Sequence, residues 1–377
     1  MLSFNLLKDA DVSGKRVFLR ADLDVPLAEI RNSKSETRKI EDDTRLKSCL
    51  PTIEYLLKQN AKIIIAGHLG RPTGLNYESR IMNQEFSLLP IAKWFYKKLN
   101  HNSLFAIHDS RLGELEGWEI GPDIFLLENL RFYPGEEKND SLFAKKLASL
   151  ADIYVNEAFA NSHRDHASIT GVSKYLPGFA GLHLQQEIEV LSGVLENPKR
   201  PLVVVIGGAK LETKLPLVEK MHHIADYVLV GGKLAEETKT LLKIQHQKVQ
   251  GKKSALLIAD LNSEGSDITP NSIGNFLQII DLAKTVIWNG PLGKISDNKV
   301  EIAESEKGSI KLAEELVKTS AYTIVGGGDT VGFLEKACLL DSFACMPKNR
   351  CFLSTGGGAM LSFLSGEKLP GLEVLKT

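Results

Sequence analysis

Cysteine is scarce: Cys49, Cys338, Cys345 and Cys351 are the only four in 377 residues, and no Cys-x-x-Cys spacing joins them. That excludes a disulfide scaffold and a thiolate zinc cluster, and it predicts buried or half-buried thiols in a reducing compartment. Net charge is nearly absent too. The 46 Lys and Arg against 47 Asp and Glu leave −1. No broad basic face for nucleic acid or a membrane surface can be built from that balance, although a small basic pocket can. No apolar run is long enough to cross a bilayer. The opening stretch lacks a basic leader, an apolar segment and a cleavage site. Together these absences predict a cytoplasmic protein with no nucleic-acid or membrane partner.

Familiar site signatures are missing as well. The first apolar run leads to Asp22-Leu23-Asp24-Val25-Pro26 rather than G-x-G-x-x-G, which argues against a nicotinamide-dependent dehydrogenase. Gly290-Pro291-Leu292-Gly293-Lys294 is followed by Ile295, so it is not a Walker A loop. No Ser-His-Asp or Cys-His arrangement stands out.

Present instead is a long alternation. The chain is too long for one ordinary core and suits two α/β domains, and its 43% apolar content can fill both. Short apolar runs recur at 17–23, 63–66, 104–107, 124–127 and 153–155. They continue at 202–206, 227–230, 255–259, 285–288, 322–325 and 351–353. Strands buried on both faces of a parallel sheet need such runs. Helical spacing lies between several of them. Asp43 and Thr44 can cap a segment carrying Leu46, Leu50, Ile53 and Leu57, in which Pro51 predicts a kink or a late start. The reading is two doubly wound parallel-sheet (Rossmann-like) α/β domains joined by a connecting helix and hinge. The division falls near 178–184. Leu184, Ile188, Leu191 and Leu195 mark one helical face, stopped by Asn197-Pro198. The domains are 1–180, with the tail 363–377 packed back on it, and 199–362, joined by the helix 181–198. Residues 28–42 are charged and read as an exposed loop.

Ligands of open parallel sheets sit beyond the carboxyl ends of the strands. In the first half those positions carry Arg20, Asp22 and Asp24; Gly67-His68-Leu69-Gly70-Arg71; Glu128-Asn129-Leu130-Arg131; and Asn156-Glu157 with His163-Arg164-Asp165-His166. Guanidinium groups from separate strand ends can grip one small anion from several sides. In the second half the same positions carry Gly207-Gly208-Ala209-Lys210, Gly231-Gly232-Lys233, Asn289-Gly290-Pro291, Gly326-Gly327-Gly328-Asp329-Thr330 and Ser354-Thr355-Gly356-Gly357-Gly358. Glycine admits backbone N–H groups to a phosphate, and a following helix turns its positive end toward it. A lone strand–Gly-Gly turn is more often tight packing, and a lone Arg after a strand is usually a solvated surface group. Convergence of so many at one edge of each sheet is what those readings leave unexplained. His163 and His166 have metal-like spacing, but Arg164 between them repels a cation.

Arg20-Ala21-Asp22-Leu23-Asp24-Val25-Pro26, Asp42-Asp43-Thr44-Arg45 and His68-Leu69-Gly70-Arg71-Pro72 resemble motifs of the phosphoglycerate kinases. So do Leu127-Glu128-Asn129-Leu130-Arg131-Phe132, Pro134-Gly135-Glu136-Glu137 and His163-Arg164-Asp165-His166-Ala167-Ser168. The four glycine-rich motifs at 207–210, 288–291, 326–330 and 354–359 follow in the family's order, over nearly the whole chain. The resemblance implies 3-phosphoglycerate held by Asp22, Leu23, Asp24, Arg45, His68, Leu69, Gly70, Arg71, Arg131 and Arg164. It implies Mg-ADP or Mg-ATP held by Gly208, Ala209, Lys210, Lys214, Asn289, Pro291, Gly327, Gly328, Asp329 and Thr330, with Asp329 toward Mg2+. Arg45, Lys210, Lys214, Gly356 and Gly357 would stabilise the transferring phosphoryl group, and the two halves would close to exclude water. The implied reaction is reversible phosphoryl transfer from 1,3-bisphosphoglycerate to Mg-ADP, in glycolysis, by a monomer.

The chain departs from the family pattern in places. Asp24 stands where Asn is usual, and Ser296 where a Glu usually holds the ribose, with Asp297 as the nearest substitute. Residues 243–273 are shorter than usual, which implies a missing peripheral strand or hairpin, and 28–42 are longer. Asp24 and Ser296 motivate a rival reading, a divergent, catalytically weak or inactive relative that binds nucleotide or phosphometabolite; the retained Arg45, Lys210, Lys214 and Asp329 oppose it.

Overall fold

The structure is a computed structural model that describes residues 4–29, 38–72, 84–99, 108–209, 211–245, 254–296, 303–347 and 349–377. The chain divides into two units. One takes in Met1–Glu187 with Lys368–Thr377, the other Ile188–Glu367.

The first unit is built on a seven-stranded sheet. Its strands are β1 (Arg16–Arg20), β4 (Lys62–Ala66), β5 (His108–Leu112), β6 (Leu115–Gly121), β7 (Ile124–Leu127), β8 (Ile153–Asn156) and β9 (Gly178–Ala180), in the order β5-β6-β7-β4-β1-β8-β9. β1 is central and pairs in parallel with both β4 and β8, setting Arg20 level with Ala66 and Asn156. Residues Val17–Arg20 of β1 are all buried, as a strand covered on both faces requires. Two short strands, β2 (Leu27–Glu29) and β3 (Arg38–Ile40), form an antiparallel pair. The expected exposed loop at 28–42 is therefore incorrect at both ends; residues 30–37 lie outside the described residues. The sheet is also not wholly parallel, because β6 runs antiparallel to β5 and β7. β6 was missed because Leu115, Gly117, Trp118 and Ile120 sit among Glu116 and Glu119, so no unbroken apolar run marks it. The run at 104–107 lies outside the described residues.

The second unit has a six-stranded, wholly parallel sheet. Its strands are β10 (Leu202–Ile206), β11 (Tyr227–Val230), β12 (Ala255–Ile258), β13 (Thr285–Asn289), β14 (Tyr322–Gly326) and β15 (Cys351–Ser354), in the order β12-β11-β10-β13-β14-β15. All five residues of β10 and of β13 are buried, and Trp288 is wholly enclosed in the core. Each large apolar side chain buried this fully stabilises the fold by about 1.5–3 kcal/mol before entropy is charged against it.

Local chemistry sets the helix ends. Asp140 Oδ1 accepts from the Phe143 amide at the start of Ser141–Ala148, and Thr269 Oγ1 accepts from Ser272 N ahead of Pro270–Leu282, whose first residue needs no donor. The helix Thr44–Lys58 starts at Thr44 and runs through Pro51, so there is no late start. Asp43, its N-cap residue, makes no side-chain cap; its carboxylate accepts from Trp94 Nε1 at 3.1 Å and pairs with Lys47 at 2.7 Å. The helix Leu182–Glu196 carries the chain from the first unit into the second. All four cysteines are free. Cys49 and Cys351 are buried, whereas Cys338 and Cys345 are exposed, contrary to the expectation of covered thiols. Among the described residues no helix is long and apolar enough to cross a membrane.

Candidate active site

In the first unit the parallel register brings the ends of β1, β4, β7 and β8 to one sheet edge, and the side chains there form a cationic cup. Arg20, the last residue of β1, is fully buried. Its Nε donates to Ser168 Oγ at 2.8 Å, Nη1 donates to the Ala21 carbonyl at 2.5 Å, and Nη2 donates to His68 Nδ1 at 3.0 Å. A guanidinium is always a donor. His68 Nδ1 must therefore accept, and the proton of the neutral ring sits on Nε2. That atom lies 3.8 Å from Asp24 Oδ2, too far for a hydrogen bond.

Asp24 Oδ1 accepts from Gly70 N at 2.8 Å. The Gly70 carbonyl accepts from Arg131 Nη1 at 2.5 Å, and the Leu69 carbonyl accepts from Asn129 Nδ2 at 2.8 Å. Arg45 Nη1 lies 3.3 Å from Asp22 Oδ1, and Asn161 Nδ2 reaches the same oxygen at 3.4 Å. Leu23 and Leu69 are buried apolar side chains, so only their backbone can serve a ligand; Arg71 is exposed. Arg164 is half-buried.

The electrostatics of this cluster are those of an anion site with cations in excess. Burial, then Arg20, Arg131 and Arg164, push the His68 imidazole well below the ordinary histidine range. Burial, Arg20, Arg164 and Arg131 push His166 down to about 4. Both rings are thus neutral at pH 7, because burial disfavours their charged form and the neighbouring guanidiniums add to it. Arg131 Nη2, Arg164 Nε and Asp22 Oδ2 are buried without a hydrogen-bond partner. Unsatisfied buried groups of this kind cost about 1–3 kcal/mol each, and the oxygens of an anionic, hydroxylated ligand would relieve that cost.

Arg20 stands among the strand-end guanidiniums of the sequence reading and His166 in its histidine pair, but neither is among the residues assigned to a ligand, and Asn161 and Glu136 are not either. Glu136 is wholly buried and accepts from the Ser168 amide at 3.0 Å and from Ser168 Oγ at 2.5 Å. A signal for Arg20 was available, since a charged residue ending the central, wholly buried strand needs a polar partner. Glu136 stands in the motif Pro134-Gly135-Glu136-Glu137, which says nothing of its partner, and nothing in the local sequence marks Asn161; both reach the cup from distant segments.

The histidines give the cup a pH signature. A folded His166 takes its proton near pH 4, an unfolded one near about 6.5. Its contribution to stability is complete above 6.5 and is lost as pH falls toward 4, because only the unfolded chain gains the proton in that window. His166→Gln is therefore expected to flatten the acid fall of the apparent melting temperature between pH 6.5 and 4, read by thermal unfolding in a pH series.

Asp24 carries a second expectation. Its carboxylate accepts from an amide and lies 3.8 Å from a neutral imidazole, and it offsets part of the positive charge of Arg45 and Arg131 that an anion would meet. Asp24→Asn keeps an oxygen for Gly70 N and removes a charge that repels an anion. Binding of the 3-phosphoglycerate that the resemblance implies should tighten by about threefold to tenfold at low salt, and less at high salt. Calorimetric titration at two ionic strengths checks both.

In the second unit the ends of β11, β10, β13, β14 and β15 also share one edge, and glycine turns line it. Lys214, in the first turn of Leu211–Ile224, is almost wholly buried, and its Nζ donates to the Gly207 carbonyl at 2.5 Å. Gly208 has φ +94°, and a Cβ there would lie 2.7 Å from Lys214 Nζ. Gly290 has φ +92°, and a Cβ there would collide with the same ammonium and with the Gly207 carbonyl. Glycine is thus required at both positions for the lysine to sit at the turn.

Gly290 N donates to Thr330 Oγ1 at 2.7 Å, Thr330 Oγ1 donates to the Gly326 carbonyl at 3.1 Å, and Asn289 Nδ2 donates to the same carbonyl at 2.9 Å. Asn289 and Thr330 are buried struts between the ends of β13 and β14; Pro291 is buried beside them. Gly327, at φ +105°, precedes the helix Gly328–Lys336, with Asp329 exposed in its first turn. Gly356 precedes the helix Gly357–Leu364, and a Cβ on Gly357 would lie 3.9 Å from Gly328 N. Two helix starts are therefore adjacent, the Gly356 amide donating to Ser354 Oγ at 3.1 Å, and Ala209 is exposed on the neighbouring turn. Such an edge can receive phosphate oxygens. Lys210 and Asp297 lie outside the described residues.

Ser296 does not stand ready as a ribose carboxylate would. Its amide donates to Glu306 Oε1 at 3.0 Å and its Oγ accepts from Lys336 Nζ at 2.8 Å.

Among the described residues no group of three or more His, Cys, Asp and Glu side chains is gathered as a metal site. A single exposed carboxylate, Asp329, beside phosphate-binding turns suits a magnesium ion that keeps its waters and takes its other ligands from nucleotide phosphates.

Comparison with known proteins gives one family along the chain. The family profile described as phosphoglycerate kinase matches residues 7–260 and 243–367. The cytosolic phosphoglycerate kinase of Triticum aestivum is 39% identical over 417 residues, covering 99% of this chain and 98% of the relative. The phosphoglycerate kinase of Desulforudis audaxviator is 36% identical over 413 residues, covering 98% of each. The solved phosphoglycerate kinase of Coxiella burnetii superposes with a TM-score of 0.74 at 33% identity, over 99% of this chain and 98% of that one. That of Pyrococcus horikoshii OT3 gives 0.73 at 26% identity, over 98% of each. With a matching profile along almost its whole length and relatives well above 30% identity, this chain belongs to the phosphoglycerate kinase family.

Proposed function

We propose that this chain transfers a phosphoryl group reversibly between 1,3-bisphosphoglycerate and ADP, yielding 3-phosphoglycerate and ATP in glycolysis. The observation that carries the reading is the cationic cup, where partly unsatisfied guanidiniums and two histidines held neutral await an anion. Arg131 and Arg164 bind the phosphate of 3-phosphoglycerate. Asp22, with an oxygen unpartnered, accepts from its hydroxyl, and the Nε2–H of His68 donates to its oxygens. Arg71 is assigned to the rim of the same site.

The nucleotide phosphates are assigned to the glycine turns at Gly208, Ala209, Gly327, Gly328, Gly356 and Gly357, and to Lys210 and Lys214. Asp329 would hold the magnesium of Mg-ADP or Mg-ATP, which neutralises phosphate charge when bound.

The nucleophile in the direction of ATP use is the substrate's carboxylate, ionised at neutral pH because its pKa is about 4. It needs no general base, so the chain's work is positioning and charge neutralisation of a loose phosphoryl group. Arg45 and Lys214 do that by withdrawing charge from its oxygens. The reading is of a cytoplasmic enzyme, supported by the word cytosolic in the name of the wheat relative. All the groups named lie on one chain, so a monomer suffices. The inactive-relative alternative has only Asp24 and Ser296 in its favour.

Paired titrations test the assignment. Arg131→Ala should weaken 3-phosphoglycerate by about a hundredfold, as loss of a buried charge-assisted contact does, and leave ADP unchanged. Asp329→Asn should raise the magnesium concentration giving half-maximal activity by about tenfold, because an amide is a poorer ligand for a hard cation. Loss of ADP binding in Arg131→Ala, or an unchanged magnesium requirement in Asp329→Asn, would overturn the corresponding assignment.

A further inference from the structure

The segment after β13 is held along its length. Gly290 N is bonded to Thr330 at the start of Gly328–Lys336, and six residues later Ser296 is bonded to Lys336 at the end of the same helix. Between these, Leu292 N donates to Ser309 Oγ at 2.8 Å and Lys294 N donates to the Ser266 carbonyl at 2.7 Å. Lys336 Nζ also pairs with Glu306 Oε1 at 2.6 Å, with the lysine 9% exposed and the glutamate fully buried. Glu306 in turn accepts from the amides of Ser296 and Ala303. Burial alone would raise the Glu306 carboxyl, but Lys336 and these amides outweigh it and hold the group below its ordinary value, so the pair is ionised.

An ion pair this enclosed is costly to place and adds little net stability, so its presence here calls for a reason other than stability. The helix it ends is the one whose start carries Gly328, Asp329 and Thr330, and the segment it fixes begins with Gly290 and Pro291. We infer that Lys336 and Glu306 are positioning residues for nucleotide binding, clamping the segment 290–296 against the helix Gly328–Lys336. The clamp rests on the nucleotide reading of the second unit. It accounts for Ser296, whose hydroxyl serves the clamp in place of a carboxylate for the ribose. The pair touches no substrate; it sets where Gly290 and Pro291 sit relative to Asp329.

Binding of ADP and of 3-phosphoglycerate by Ser296→Ala, Lys336→Arg and Lys336→Met, with steady-state kinetics, tests the clamp. Ser296→Ala keeps the ion pair and should raise the Kd for ADP about threefold. Lys336→Met should raise it about tenfold, with Lys336→Arg close to the parent. In every case the Kd for 3-phosphoglycerate and the kcat at saturating ADP should stay within twofold. If Lys336→Met does not fold, Ser296→Ala decides. Parental ADP affinity in a folded Ser296→Ala or Lys336→Met protein overturns the clamp, even if the melting temperature falls, because a purely structural pair would move stability alone. If the parent chain fails to bind ADP, the nucleotide reading itself has failed, a result separate from loss in the variants only.

Discussion

Arg45→Ala is expected to lower kcat by about a thousandfold while the Kd for 3-phosphoglycerate changes less than tenfold. Arg45 Nη1 makes one contact with Asp22, at 3.3 Å, and its side chain keeps 27% of its exposure, so the guanidinium is only loosely held in the free cup. Asp22 foremost, opposed by burial, raises its already high pKa, which leaves it charged under all relevant conditions. A cation placed this way gains most when charge spreads over the transferring phosphoryl group, and single arginines acting on such groups supply about 10³ or more in rate. A thousandfold is about 4 kcal/mol of barrier. Ground-state binding is supported separately by Arg131 and Arg164, so its loss should be small. Equal loss in kcat/KM and kcat would locate the contact in the transition state; a rise in KM with unchanged kcat would make Arg45 an ordinary binding residue.

Glu136→Ala is expected to destabilise the first unit by about 3–5 kcal/mol, the cost of removing one partner from a buried charge network. Glu136 is wholly buried, and burial pushes its carboxyl above the ordinary range although Arg20 pulls the other way. The carboxylate is therefore not a cheap source of stability. It receives Ser168 Oγ, which receives Arg20 Nε, and so compensates a guanidinium that has no exposure at all. Without it Arg20 would be a buried cation beside Arg131 and Arg164, left with the neutral acceptors Ser168 Oγ, the Ala21 carbonyl and His68 Nδ1. Glu136→Gln keeps the acceptor and should cost less than the alanine variant. Urea unfolding followed by fluorescence gives the midpoints; near-parental midpoints for Glu136→Ala would mean that the cup tolerates its own repulsion.

Most of the fold was legible because buried parallel strands announce themselves as unbroken apolar runs. β7, β10 and β11 coincide with such runs, and β4, β13, β14 and β15 extend theirs by one residue. The antiparallel edge was not legible, since β5 carries His108, Asp109, Ser110 and Arg111 and is half in solvent. β2 and β3 pair only across a charged stretch. At the site, spacing identified which turns meet at a sheet edge but not what the side chains do there. His68 stood in a motif, yet only its bond from Arg20 fixes which nitrogen carries the proton. Asn289 and Thr330 stood in motifs too, and their polar groups turn inward as struts. Lys336 and Glu306 gave no signal, because a charged residue at a helix end ordinarily points into water.

The central claim is turnover, and the direct measurement is ATP formed from 1,3-bisphosphoglycerate and ADP with magnesium, followed by coupling to a reporter enzyme. The account predicts ATP and 3-phosphoglycerate in equal amounts from the parent chain and about a thousandfold less rate from Arg45→Ala. Tight binding of both substrates by the parent chain without ATP formation would contradict it and leave a binding protein in the enzyme's place.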